Sequence, residues 1–183
     1  HTPGDAVNAM VAMNPAGFRS NLEYVEQGGI IIVNEDEFTT ANLKKCGYEE
    51  DYNPLKDDVL NSSYKICKVP MSRLTRESLV REDEDVSVKD IDRCRNMFAL
   101  GIVSWLFSRE IEPTIEKIVE YFGVVKKQPV IAQLNSRAIK AGYYFGETAE
   151  LFPSRYQVAP AKHEKGEYRR ISGNEAMVLG LAT

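Results

Sequence analysis

Four β-branched residues in succession, Ile30-Ile31-Ile32-Val33, stand between Gly28-Gly29 and the polar pair Asn34-Glu35. A strand with one wet face alternates apolar and polar side chains, whereas a strand covered on both faces reads as a continuous apolar run. The segment therefore predicts a strand buried on both sides, as in a parallel sheet. Parallel strands need crossover connections, and helices are the usual cover.

The flanking segments supply the rest of such a layer. Ala9-Met10-Val11-Ala12-Met13 is a short apolar run ended by Asn14-Pro15. Asn14 suits a helix cap and Pro15 a first helical turn, and the helix that follows is expected to reach about Glu26. Gly28-Gly29 is then read as a tight turn into the strand. After Phe38-Thr39-Thr40 comes a second helical piece, then Asn53-Pro54-Leu55, and residues 64–70 alternate as a third strand nearer the sheet edge. Strand, helix, strand, helix, strand is the order of a doubly wound, Rossmann-like α/β layer.

Residues 90–107 place Ile91, Cys94, Met97, Phe98, Gly101, Ile102, Trp105 and Leu106 at helical spacing. A helix from Thr114 carries Ile115, Ile118, Val119 and Phe122 on one face, and a third over residues 130–144 closes near Gly142. Residues 150–170, punctuated by Pro153, Pro160 and Gly166, read as loop and linker. The last segment opens as a capped helix, with Ser172 or Asn174 as cap and Glu175 in the first turn. Its small residues Ala176, Gly180 and Ala182 suit close packing against a partner outside the chain. A doubly wound domain usually opens with a strand and a glycine-rich phosphate turn. None precedes Asp5, so the layer is expected to be incomplete at its N-terminus.

At 183 residues, with 43% hydrophobic and 27% charged side chains, the chain can bury a core. A net charge of −4 gives no basic footprint for nucleic acid, and no apolar run approaches the ~20 residues of a membrane span. Neither a secretory signal nor a disulfide framework is written here, and a cytoplasmic location is expected. The cysteines at 46, 67 and 94 are widely spaced with no CxxC pair, which offers neither a zinc nor an iron–sulfur site. His1 and His163 are the only histidines, too few for a triad or a histidine-rich metal site. No metal site and no catalytic residue is therefore assigned.

Ligands of open α/β sheets bind beyond the carboxyl ends of the strands. Asn14 and Asn34 follow strands and are the candidate ligand-binding residues, although a helix cap explains Asn14 equally well. Gly28-Gly29 is a poor phosphate loop because it precedes its strand, whereas a phosphate turn must follow one. The acidic run at 82–85 reads as a solvated, self-repelling face. Lys162, Lys165, Arg169 and Arg170 offer phosphate contacts, but interspersed Glu164 and Glu167 favour an ordinary charged linker. Trp105 with Phe98 and Phe107 reads as core. Gly142-Tyr143-Tyr144-Phe145-Gly146 reads as an aromatic turn after a helix, suited to an interface or to packing on its own domain. A stand-alone nucleotide- or coenzyme A-binding module is the alternative that this pattern leaves open.

Four separated stretches carry a resemblance: Val11-Ala12-Met13-Asn14-Pro15-Ala16, Gly28-Gly29-Ile30-Ile31-Ile32-Val33-Asn34, Lys140-Ala141-Gly142-Tyr143 and Ser172-Gly173-Asn174-Glu175-Ala176. In this order they resemble the alpha subunit of 2-oxoacid:ferredoxin (acceptor) oxidoreductases, of the bacterial 2-oxoglutarate type. The resemblance implies that residues 1–165 are most of a so-called gamma domain. Residues 166–183 would be a linker and the first helix of a thiamine-diphosphate pyrimidine domain. It further implies an enzyme that converts a 2-oxoacid and coenzyme A to acyl-CoA and carbon dioxide, passing electrons to ferredoxin or a related acceptor. Thiamine diphosphate, magnesium and an iron–sulfur cluster would belong to the whole complex and not to this chain alone. The beta subunit would be its partner in a homo- or hetero-oligomer. Its own role would be assembly, or cover on the coenzyme A side, for which Asn14, Asn34 and Asn135, at or near the expected strand ends or helix starts, would be the local candidates.

Overall fold

In the computed structural model, which describes residues 6–80, 86–150, 152, 155–159, 162, 164–169 and 171–182, the run Ile30–Val33 is the heart of a central strand. Three parallel strands, β1 (Val7–Ala12), β2 (Val25–Asn34) and β3 (Lys65–Val69), pair in the order β1-β2-β3. Ile31 and Ile32 face Met10 and Val11 on one side and Ile66 and Cys67 on the other.

Alternate side chains of β2 enter two different cores, and for this reason the whole run is apolar. Ile31 and Val33 pack with Phe18, Phe38, Leu43 and Leu55. These come from α1 (Pro15–Asn21), α2 (Thr40–Lys45) and the turns between the strands. Ile30 and Ile32 pack with Val69, Phe98, Ile102 and Trp105, where Phe98, Ile102 and Trp105 belong to a helix of the second half. Helices thus cover both faces of a parallel sheet, the Rossmann-like α/β arrangement expected.

The helical stretch after Pro15 is shorter than expected, and Gly28-Gly29 is not a turn. A single 3-10 turn, Leu22–Tyr24, follows α1, and the chain enters β2 at Val25. Between paired residues, β1 advances from Val7 to Ala9 while β2 advances from Val25 to Ile30. The surplus forms a bulge. Gly28 sits there at φ +79°, and a Cβ on Gly29 would stand 2.8 Å from the Glu26 carbonyl oxygen. Both positions need glycine for backbone reasons.

The connection to β3 runs through α3 (Asp58–Ser63), capped by the Asp57 carboxylate on the Val59 and Leu60 amides. After β3 come α4 (Met71–Leu79), α5 (Val88–Arg93), α6 (Arg95–Leu106), α7 (Glu112–Ile118) and α8 (Pro129–Thr148). The stretch expected as one helix over 90–107 divides at Cys94, and α8 runs past Gly142 and Gly146. A π-helical turn, Val119–Val125, joins α7 to α8.

α6 is sandwiched between sheet and α8, which explains its burial on several sides: Phe98, Ile102, Trp105 and Leu106 are all buried. Gly101 lets the two helices meet, because a Cβ there would stand 2.1 Å from the Ile139 carbonyl oxygen. Phe152 and Arg155 strap the end of α6. Phe152 lies 5.7 Å from the Trp105 ring, and Arg155 Nε donates to the Trp105 carbonyl at 3.1 Å.

The final helix, α9 (Gly173–Ala182), is exposed on every face. Among the described residues no helix is long and apolar enough to cross a membrane.

Candidate functional site

The carboxyl ends of β2 and β3 converge on a polar cluster. Asn34, the last residue of β2, is fully buried. Its Nδ2 donates to Ser72 Oγ at 3.0 Å, and its Oδ1 accepts from the Ser72 backbone N–H at 3.3 Å. Two residues on, the Asp36 carboxylate accepts from the Arg73 backbone N–H at 2.8 Å. These N–H groups belong to the first turn of α4, whose cap residue Pro70 offers no side-chain hydrogen bond. The helix is thus capped from the neighbouring strand, and Asp36 also places negative charge where the helix dipole favours it.

The cluster continues through Ser72 Oγ, which accepts from Arg95 Nη1 at 3.0 Å and donates to Glu37 Oε1 at 3.4 Å. Arg95 also pairs with Glu37 directly. Asn42 Nδ2 reaches the Glu37 carbonyl at 3.0 Å. At the rim, Arg76 binds Asp92 through two bonds of 2.6 and 2.9 Å. The hydrogen bonds from Arg76 hold the Asp92 carboxyl below its ordinary value.

Hydroxyl, amide, carboxylate and guanidinium here bond mainly to one another. Such a network fixes α4, α6 and the turn after β2 to the sheet end. It holds no nucleophile beside a free base.

The other two candidates lie elsewhere. Asn14 caps α1, its Oδ1 accepting from the Gly17 N–H at 2.8 Å. Asn135, buried in α8, donates to the Ile131 carbonyl one turn back at 2.8 Å. Asn14 follows β1 and Asn34 ends the adjacent β2, but no hydrogen bond joins any two of the three asparagines. Asn135 lines a cleft of about 650 Å³ between the α5–α6 joint and the start of α8, with Arg93, Asn96, Met97, Phe122 and Lys127. Lys127 holds a left-handed backbone (φ +53°) just before the helix. Cys94 also borders the cleft; burial first, then the nearby Asp90 charge, pushes its thiol to about 11.

Sequence reading missed Ser72, Glu37 and Arg95. Their signal was positional: Glu37 and Ser72 each lie within three residues of a strand's carboxyl end, the place where that rule had already selected Asn14 and Asn34. The acidic run at 82–85, both histidines and Arg170 lie outside the described residues. Lys162, Lys165 and Arg169 are exposed.

The three cysteines lie on separate elements. Cys46 ends α2, Cys67 lies in β3 and Cys94 joins α5 to α6. Among the described residues no three His, Cys, Asp or Glu side chains gather to hold an ion.

Comparison with known proteins places the chain. The family model for pyruvate ferredoxin/flavodoxin oxidoreductase matches residues 1–145. The 2-oxoglutarate oxidoreductase subunit KorA of Mycobacterium tuberculosis is 44% identical over 180 residues, covering 98% of this chain and 26% of that protein. A solved structure of 2-oxoglutarate:ferredoxin oxidoreductase from Magnetococcus marinus, with 2-oxoglutarate, coenzyme A and succinyl-CoA bound, superposes with a TM-score of 0.57 at 19% identity. That match covers 86% of this chain and 23% of the other, and it speaks to fold alone. The chain thus spans about a quarter of the length of the relatives it matches. With the family model covering most of its residues and a curated relative at this identity, the chain belongs to the pyruvate ferredoxin/flavodoxin oxidoreductase family.

Proposed function

We propose that this chain is the gamma domain, with the opening of the next domain, of the alpha subunit of a 2-oxoglutarate:ferredoxin-type oxidoreductase. The observation that carries the reading is the 44% identity to KorA across nearly the whole chain. The enzyme would convert 2-oxoglutarate and coenzyme A to succinyl-CoA and carbon dioxide, passing electrons to ferredoxin or a related acceptor in the cytoplasm. Thiamine diphosphate with magnesium supplies the decarboxylation chemistry when bound, and an iron–sulfur cluster carries the electrons. Both would be held by other parts of the complex, including the beta subunit.

Within that complex this domain would serve assembly and shape the coenzyme A side. The self-bonded cluster around Ser72 supports a rigid body. α9 supports docking, because a helix apolar all round is normally buried. The cleft bearing Lys127 beside the start of α8, where Arg93 pairs with Asp90 at 3.1 Å, supports an approach for the phosphates of coenzyme A.

Anaerobic viologen reduction by the full-length alpha–beta complex tests the reading. Turnover that requires both 2-oxoglutarate and coenzyme A is expected, with pyruvate a poor substrate and this chain alone inactive. Preference for pyruvate would overturn the substrate, and turnover by the chain alone would overturn the assembly role.

A further inference from the structure

We draw no further inference here: the strongest candidate, the uncharged outer edge of β1 with the groove lined by Val7, Met10, Val11 and Tyr24, is an unpartnered face and nothing in the structure shows what covers it.

Discussion

Gly142 of α8 crosses Phe98 of α6 at backbone contact: a Cβ on Gly142 would stand 1.9 Å from the Phe98 carbonyl oxygen and 2.7 Å from its carbon. Main-chain atoms cannot swing aside as a flexible side chain can, so a methyl group here must force the helices apart. α6 lies on the sheet, so the strain would pass to the core around Ile30 and Ile32. Gly142→Ala is expected to destabilise by about 3 kcal/mol or more, the upper end for overpacking. Gly180→Ala in α9 is the contrast, since its Cβ would meet nothing and alanine gains about 0.5–1 kcal/mol in an exposed helix. The urea midpoint should fall for Gly142→Ala and stay in place for Gly180→Ala, because α9 is exposed on every face and gains only local helicity. An unmoved midpoint for Gly142→Ala would contradict the crossing.

Ser72 is the joint of the polar cluster. Ser72→Ala removes the acceptor shared by Asn34 Nδ2 and Arg95 Nη1 and the donor to Glu37. Leaving buried polar groups unpaired costs about 1–3 kcal/mol. Asn34→Ala should cost a similar amount. Because the two residues share a pair of hydrogen bonds, the double variant should lose less than the sum, by about 0.5–3 kcal/mol. Strict additivity in a denaturation cycle would mean that the two residues act independently.

How far this was legible from sequence depends on what each feature is made of. The two-sided burial of Ile30–Val33 was visible because unbroken β-branching is itself the signature of that environment. The Asn14 cap was visible because a cap and its amide lie three residues apart. Gly28-Gly29 was misread because a turn and a bulge ask the same freedom of glycine, and only the register against β1 separates them. Gly142 and Gly146 likewise resemble a helix stop, yet the helix continues, because what they accommodate is α6. α4 escaped notice for a related reason: its capping groups are Asn34 and Asp36, not a residue beside Pro70. The cleft around Asn135 arises where α5, α6, α8 and the π-helical turn meet, a juxtaposition that no local pattern encodes.

The Asp92–Arg76 pair makes part of the stability pH-dependent. The folded Asp92 carboxyl titrates below its ordinary value of about 3.9. The stabilisation is therefore complete above the unfolded value and fades as pH falls through the folded one. Asp92→Asn should lower the urea midpoint at pH 7, and the gap to the parent should close as the pH drops below about 4. Both partners are partly exposed, so 0.5 M salt should also shrink the gap. A gap that persists at pH 2.5 would assign the effect to packing of the side chain instead.

Lys127 tests the coenzyme A side of the proposal. It lines the cleft just ahead of α8, with a left-handed backbone. A charge-assisted hydrogen bond is worth about 1.5–3 kcal/mol, so Lys127→Glu in the full-length complex should raise the KM for coenzyme A at least about tenfold. The KM for 2-oxoglutarate should stay put, since only the cosubstrate is read there. Equal losses for both substrates would point to disturbed folding, and no change would remove this cleft from the coenzyme A path.

α9 exposes Met177, Val178, Leu179 and Leu181, the last at 82% of its free surface. Water does not favour so exposed an apolar helix in isolation. Two consequences separate a docking helix from an incidental one. For the chain alone, Val178→Lys with Leu181→Lys should reduce self-association, seen as a smaller mass in light scattering at high concentration. If α9 opens the next domain of a full-length alpha subunit, as proposed, the same pair would bury two charges there. Unpaired buried charge is strongly destabilising, so the variant should lose the cooperative unfolding of that domain and its co-purification with the beta subunit. If the full-length variant assembles like the parent, α9 stays solvated in the enzyme, and its apolar surface serves something other than the join between the two domains.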